Sequence, residues 1–92
     1  MAVNDAFHKY STYIKNEWKP NRDVSNIDKL ILYGLYKQGT CGDCTEEPPW
    51  SWQVANTAKH NAWMRHNKMD RNVAKEHYVV QAKRIIQLYN II

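Results

Sequence analysis

Two tyrosines and a lysine in the middle of the chain have the types and the spacing of a phosphate-binding, base-stacking patch. Tyr33, Tyr36 and Lys37 stand at positions i, i+3 and i+4, which are neighbours on one face of an α-helix. They would offer two phenol hydroxyls, two ring faces and one fixed cation. The alternative is a tyrosine pair that packs into the core beside a solvated lysine. Taken alone, the segment favours this alternative.

Residues in three other segments shift the balance towards a ligand site. Lys59 supplies a second cation, and Tyr78 supplies a third phenol. A further cation could come from Lys15, near the start of the chain. Together with the central patch, they would surround an anionic aromatic ligand from several directions.

The cysteine pair Cys41-Gly42-Asp43-Cys44 lacks the context of a redox or zinc site. A thioredoxin-like pair follows a strand, whereas this pair follows a helical segment and enters a loop with two prolines. Zinc would need four ligands, and the sequence has no second cysteine pair. We interpret both cysteines as structural or incidental thiols, with a small redox protein as an alternative.

No recognised catalytic motif accompanies the four histidines. The sequence has no nucleophile elbow, zinc-protease motif, phosphate-binding loop or dinucleotide fingerprint. Catalytic triads are assembled in space, so this absence is not decisive. In a chain of this size, we nevertheless predict no enzyme activity, no catalytic residue, no metal and no cofactor. The histidines are His8, His60, His66 and His77.

Length and charge narrow the possible architectures and partners. A chain of 92 residues predicts a single domain over 1–92 with one thin core. The net charge of +4 favours an anionic partner, but the basic residues are dispersed, which argues against nucleic acid. Because we find no membrane-span pattern and no apolar signal core, we expect a cytoplasmic protein with reduced thiols.

Apolar residues recur with helical spacing in four segments, which predicts an all-α fold. Pro20 ends the first segment, Ser25 or Asn26 can cap the second, and Asp70 can cap the fourth. The predicted helices run from Asn4 or Asp5 to Trp18, from Ser25 or Asn26 to between Gly39 and Gly42, from Ser51 or Trp52 to His66, and from Asp70 to about Tyr89.

With these elements in place, the sequence resembles the acyl-CoA-binding protein family. The resemblance extends without a gap from about Ser25 to the C-terminus, and it is weaker in the first helix. The matching elements are Tyr33-x-x-Tyr36-Lys37-Gln38-x-Thr40-x-Gly42-Asp43, then Pro49, Lys59-x-x-Ala62-Trp63, Ala74-x-x-x-Tyr78 and Tyr89.

The resemblance implies a four-helix bundle of up-down-down-up topology that binds a long-chain fatty acyl-CoA. Such a protein is an intracellular carrier and pool former in lipid metabolism, and it does not convert its ligand. The implied partners are the acyl-CoA itself and, transiently, acyl-CoA-using enzymes or membrane surfaces. A monomer without nucleic acid is expected.

By position, the resemblance also implies the ligand-binding residues. Tyr33, Lys37 and Lys59 would hold the ribose 3′-phosphate, whereas Tyr36 and Tyr78 would help to enclose the adenine and ribose. The remaining implied residues are Lys15 at the phosphates, Lys29 and Leu30 in an acyl groove beside the start of the second helix, and Gly34 and Leu35.

The sequence departs from the family pattern at several positions. His60 stands where tryptophan is usual, and Lys29 replaces an apolar residue near the expected acyl groove. Ala55 stands where a further lysine is common, and the rings of Trp50 and Trp52 replace smaller residues. The headgroup residues are retained, so these departures concern the preferred chain length.

A helical protein-interaction module is the alternative of a different class. In that case the aromatic patch would receive a partner helix. Such a surface does not require Lys37 and Lys59 to lie close together, whereas a phosphate site does.

Overall fold

The computed structural model describes residues 2–50 and 52–90, which form four α-helices. This confirms the predicted all-α fold and the number of helices. The predicted helix start at Ser51 lies outside the described residues. The helices are α1 (Ala2–Asn16), α2 (Asn26–Cys41), α3 (Val54–Met64) and α4 (Arg71–Tyr89).

The residues predicted to cap α2 and α4 lie at the starts of these helices and accept hydrogen bonds from first-turn backbone N–H groups. The Ser25 hydroxyl accepts a hydrogen bond from the Asp28 N–H at 3.2 Å at the start of α2. Asp70 accepts the N–H groups of Asn72 and Val73 at the start of α4. Gly42 ends α2 at φ 78°, a left-handed conformation that glycine adopts without strain.

The first helix ends two residues earlier than predicted. The N–H groups of Glu17 and Trp18 both donate to the Tyr13 carbonyl, at 2.9 and 2.8 Å, which widens the last turn. Trp18 lies beyond the end of the helix, and its ring packs edge-on against the Tyr89 ring, with ring centroids 6.3 Å apart. Tertiary packing therefore decides where this helix ends.

The third helix begins later than predicted because a turn precedes it. The Gln53 N–H donates to the Trp50 carbonyl at 2.9 Å, and the Trp50 N–H donates to the Gln53 side chain at 3.2 Å. This reciprocal pair closes the turn before Val54. The helix also ends at Met64, before the predicted His66.

Side-chain contacts show that α1 and α4 run parallel. Near their starts, Lys75 Nζ donates to Asn4 Oδ1 at 2.7 Å. Beyond their ends, Trp18 Nε1 donates to Asn90 Oδ1 at 3.1 Å.

Helix α2 runs antiparallel to α4, because its start lies at the end of α4 and its end at the start. Asp28 accepts from Tyr89 at 2.6 Å, and Gln38 Nε2 donates to the Met69 carbonyl at 2.9 Å. Helix α3 in turn runs parallel to α2, as later residues of α3 contact later residues of α2. The helices therefore run up, down, down and up.

The closely packed helix pairs give the bundle a lateral order of α1, α4, α2 and α3. Two alanines on α4, Ala74 and Ala82, are fully buried and allow its neighbours to approach closely. Because α1–α2 and α3–α4 are not closely packed pairs, the order leaves a cleft between α1 and α2 and another between α3 and α4. The connected core consists of Phe7, Leu32, Leu35, Tyr78, Ala82, Ile85 and Tyr89.

A buried carboxylate joins the start of α2 to the end of α4. Asp28 accepts from Tyr89 at 2.6 Å and from Arg84 at 2.8 Å. These hydrogen bonds, first from Tyr89 and then from Arg84, hold the pKa of Asp28 below its ordinary value despite burial. The charge is thus satisfied within the fold.

Of the helices in 2–50 and 52–90, none combines the length and the apolar character needed to cross a membrane.

Candidate functional site

An open cavity of about 540 Å³ lies between α1 and α2, with Tyr78 of α4 at its base. Six of the predicted ligand-binding residues line it: Lys15, Lys29, Tyr33, Tyr36, Lys37 and Tyr78. Three further residues complete the lining: Ser11, Ile14 and Leu32. The cavity therefore combines ammonium groups, phenols and apolar surface.

The rings of Tyr36 and Tyr78 line one wall of this cavity, and the buried Phe7 ring packs against both of them. Phe7 stacks on Tyr36 with centroids 5.7 Å apart, and it meets Tyr78 edge-on at 5.1 Å. Tyr36 and Tyr78 are 6.1 Å apart. Tyr36 remains 39% exposed, so part of its ring is available to a flat aromatic ligand group.

The Tyr78 hydroxyl is an available hydrogen-bond donor within this cavity. Burial, and secondarily the nearby Tyr36 phenol, raises the pKa of Tyr78 to about 12. The phenol therefore stays protonated at neutral pH. No described residue forms a hydrogen bond with this hydroxyl, so it can donate to an anionic ligand.

The ammonium groups of Lys37 and Lys59 each lie against an aromatic ring. Lys37 Nζ lies 4.7 Å from the centroid of the Trp63 ring, and Lys59 Nζ lies 5.8 Å from that of Tyr33. Lys59 lines a smaller adjoining cavity of about 240 Å³, and Tyr33 lines both cavities. Helix α3 thus brings Lys59 to the Tyr33 ring, beside the cavity that Lys37 lines.

A hydrogen-bond network fixes the end of α2, which carries Tyr36 and Lys37. Gln38 Nε2 donates to Asp43 Oδ1 at 3.0 Å and to the Met69 carbonyl at 2.9 Å. Asp43 Oδ1 also accepts the Lys68 N–H at 2.6 Å. The pKa of Asp43 is lowered, first by Gln38 and then by this N–H. Gln38 and Asp43, the polar residues of the sequence motif, therefore hold the end of α2 in place next to the cavity.

With this geometry established, comparison with known proteins identifies the family. The sequence model described as "Acyl CoA binding protein" matches residues 4–82. The chain belongs to the acyl-CoA-binding protein family. This confirms the family to which the motifs pointed.

Individual relatives agree with this assignment. The acyl-CoA-binding protein of Dictyostelium discoideum is 45% identical over 65 residues, which cover 71% of this chain and 77% of that protein. The acyl-CoA-binding protein of Brassica napus is 31% identical over 87 residues, which cover 95% and 91%. The crystal structure of Oryza sativa Acyl-CoA-Binding Protein 2 superimposes with a TM-score of 0.89 at 27% identity, covering 99% of this chain and 96% of that chain.

Four residues that the family resemblance assigned to the ligand do not line this cavity, and one of them, Lys59, lines the smaller adjoining cavity. Gly34 lies against α3, where a Cβ would clash with the Ala62 carbonyl oxygen. Leu30 and Leu35 line a different cavity, on the opposite side of α2. The expected acyl groove beside Lys29 and Leu30 is therefore divided, because helical geometry places these two adjacent residues on different sides.

Sequence reasoning assigned Ser11, Ile14 and Leu32 no place in the ligand site. Ser11, Ile14 and Lys15 share one face of α1 at positions i, i+3 and i+4, so the predicted role of Lys15 already indicated its neighbours. Leu32 carried no such signal, because core and cavity-lining leucines look alike in a sequence.

The two cysteines have different surroundings, although both are free thiols. Cys41 is exposed, whereas Cys44 is buried with its Sγ 3.8 Å from His60 Nδ1. The Cys44 N–H also donates to Asn67 at 3.1 Å. The structure thus gives Cys44 a packing role. Within 2–50 and 52–90, no three potential metal ligands form a cluster.

Proposed function

We propose that this protein binds long-chain fatty acyl-CoA esters non-covalently and carries them as an intracellular pool for lipid metabolism. One observation carries the proposal. Lys37 from α2 and Lys59 from α3 flank Tyr33 beside an aromatic wall. Two cations from separate helices suit a single dianionic phosphate, and the adjacent rings suit the adenine that accompanies it in coenzyme A.

The phosphate end of the ligand is the most polar part of the proposed complex. Tyr33, Lys37 and Lys59 hold the ribose 3′-phosphate, and Lys15 meets further phosphates from α1. The two lysine side chains leave their aromatic partners when an anion arrives, because a charge-assisted hydrogen bond is stronger than an exposed cation–π contact.

The nucleoside and the acyl chain occupy the remaining surface. Tyr36 stacks with the adenine, and the Tyr78 hydroxyl donates to the ribose or a nearby phosphate. Ile14 and Leu32 supply apolar surface for the chain, and the methylenes of Lys29 extend it. Each buried methylene stabilises the complex by about 0.8 kcal/mol.

The chemistry of the lining supports binding without conversion. The described residues that line the larger cavity include no histidine, cysteine or carboxylate. Those that line the adjoining cavity include Glu46, Glu47 and His60, but no serine, threonine or cysteine that could act as a nucleophile. As part of the same proposal, the protein is a cytoplasmic monomer that meets acyl-CoA-using enzymes or membrane surfaces transiently.

Isothermal titration calorimetry with palmitoyl-CoA, free CoA and palmitate tests this function. We expect one-to-one binding of palmitoyl-CoA, weaker binding of CoA, and far weaker binding of palmitate. Lys37→Ala should weaken palmitoyl-CoA binding, whereas Lys19→Ala, an exposed lysine outside the described cavities, should not. Equal affinities for palmitate and palmitoyl-CoA would contradict the proposal.

A further inference from the structure

Three large apolar side chains project from the segment that leads into α3. Trp50 is 73% exposed, Trp52 is 74% exposed, and Val54, the first residue of α3, is 75% exposed. None of the three lines either cavity of the proposed acyl-CoA site. Neither the core nor that site therefore accounts for this exposed apolar surface.

The indole N–H groups separate Trp50 and Trp52 from the other two tryptophans. Trp18 and Trp63 donate their indole N–H groups to acceptors within the fold, at 3.1 and 2.8 Å. Those of Trp50 and Trp52 have no hydrogen-bond partner among the described residues. Each of these two rings thus offers an apolar face and a free donor, a combination that suits the boundary between the acyl chains and the polar headgroups of a bilayer.

A closed turn fixes the backbone that carries the two rings. The Gln53 N–H donates to the Trp50 carbonyl at 2.9 Å, and the Trp50 N–H donates to the Gln53 side chain at 3.2 Å. The Thr57 N–H donates to the Gln53 carbonyl at 2.9 Å, which joins this turn to α3. Because the backbone is already ordered, little conformational entropy is lost when the rings contact a partner.

The segment that begins with the two tryptophans carries positive charge only. Residues 50–69 contain no aspartate or glutamate, but they include Lys59, Arg65 and Lys68, of which the last two are exposed. The two glutamates that precede the segment line the small cavity together with Lys59. Among the described helices, α3 packs closely on α2 alone. This edge of the bundle therefore complements a negatively charged surface.

We infer that Trp50, Trp52 and Val54 dock this protein on the surface of a bilayer that contains anionic phospholipids. The three side chains enter the interfacial region, while Arg65 and Lys68 attract the anionic headgroups. The free indole donors and the acid-free segment favour a lipid surface over a protein partner. The inference rests on the proposed function, whose membrane contact it specifies, although the docking itself needs no acyl-CoA.

Co-sedimentation with lipid vesicles tests the docking. We expect the ligand-free protein to bind vesicles of phosphatidylcholine and phosphatidylserine, and to bind vesicles of phosphatidylcholine alone more weakly. Trp50→Ser combined with Trp52→Ser should weaken binding at least about tenfold, because two rings no longer enter the bilayer. The urea midpoint of this variant should match that of wild type, since both rings are exposed.

The docking and the carrier function can fail separately. Vesicle binding by a protein that does not bind palmitoyl-CoA would contradict the carrier function and still support the docking surface. Palmitoyl-CoA binding without vesicle binding would overturn the docking surface alone. Unchanged vesicle binding by the tryptophan variant would overturn it as well.

Two matched pairs of variants complete the test. Val54→Ser should weaken vesicle binding roughly threefold, whereas Val80→Ser, at a valine of α4 that is 62% exposed, should not. Arg65→Glu should weaken binding roughly tenfold, whereas Lys9→Glu makes the same change in net charge on α1, at the opposite edge of the bundle, and should have little effect. Equal effects within either pair would overturn the docking surface, as would a dimer that the tryptophan variant dissociates.

Discussion

Tyr78 and Tyr89 lie on the same buried face of α4, but their hydroxyl groups have opposite surroundings. Their exposed fractions are 4% and 3%, so burial does not distinguish them. The Tyr89 hydroxyl donates to Asp28 at 2.6 Å and accepts the Ser25 N–H at 3.0 Å. The Tyr78 hydroxyl has no hydrogen-bond partner among the described residues. Hydrogen-bond satisfaction thus separates a structural tyrosine from a tyrosine of the proposed ligand site.

The same contrast extends to the charges at the two ends of α2. At its start, Asp28 is paired with Arg84, the single salt bridge within the part of the chain that the structure describes. Towards its end, Lys37 and Lys59 lie over aromatic rings and form no salt bridge among the described residues, although Glu46 and Glu47 line the same small cavity as Lys59. At the start of α2 the charges are paired and stabilise the fold, whereas near its end positive charge remains available to a ligand.

The largest expected effect separates the lysines of the ligand region from structural charges. Lys59→Ala should weaken palmitoyl-CoA binding by about one to two orders of magnitude, because charge-assisted hydrogen bonds to the 3′-phosphate are lost. Calorimetry should show a much smaller effect with dephospho-palmitoyl-CoA, which lacks that phosphate. An equal loss for both ligands would show that Lys59 does not contact the phosphate.

At the structural end of α2, we expect a loss of stability instead of affinity. Asp28→Asn should lower the free energy of unfolding at pH 7 by about 2 kcal/mol, since two hydrogen bonds to a carboxylate are weakened and Arg84 is partly screened by solvent. Urea denaturation measures the loss. Asp23→Asn, an exposed loop substitution, is the matched control and should change little.

The pH dependence of this effect has a defined sign. The folded-state pKa of Asp28 is lower than its ordinary value of 3.8, so the stabilisation is complete above that value and is lost as pH falls through the lowered pKa. The difference in stability between wild type and Asp28→Asn should therefore shrink in acid. A constant difference across that range would contradict the lowered pKa.

Removing one hydroxyl from each tyrosine tests the comparison directly. Tyr89→Phe should lower stability by about 1–1.5 kcal/mol and leave acyl-CoA affinity unchanged. Tyr78→Phe should weaken acyl-CoA binding about five- to tenfold and change stability by less than about 0.5 kcal/mol. Urea denaturation and calorimetry on both variants decide the outcome. Similar stability losses in both would remove the proposed distinction.

The smallest effect concerns the chain-length preference of the ligand region. Lys29→Met should tighten the binding of long acyl chains about threefold, because an apolar end group replaces an ammonium beside the cavity. Affinities measured from octanoyl-CoA to stearoyl-CoA should diverge from wild type only for the longer chains. Lys19→Met controls for the change in net charge, and identical series for wild type and Lys29→Met would place Lys29 away from the chain.

Local signals in the sequence predicted much of this molecule. The caps at Ser25 and Asp70 and the helical spacing of Tyr33, Tyr36 and Lys37 act within a few residues of each other, so they are visible without the fold.

Long-range partners explain what the sequence did not predict. The buried pairing of Asp28 was not predicted, because its partners lie 56 and 61 positions further along the chain. Cys44 similarly gained its packing role from His60, on another helix. Helical geometry separates Lys29 from Leu30, but which cavity each of them lines depends on where α1 and α3 lie against α2, and no local pattern encodes that.

Helices α2 and α3 cross where Gly34 packs against the Ala62 carbonyl. Helix α3 carries Lys59 to one cavity, and with its C-terminal extension it carries Ala58 and Arg65 to the other. A side chain at position 34 would push α3 away from α2 and so move Lys59 away from Tyr33. The spacing of the two lysines of the proposed phosphate site thus depends on a residue that has no side chain.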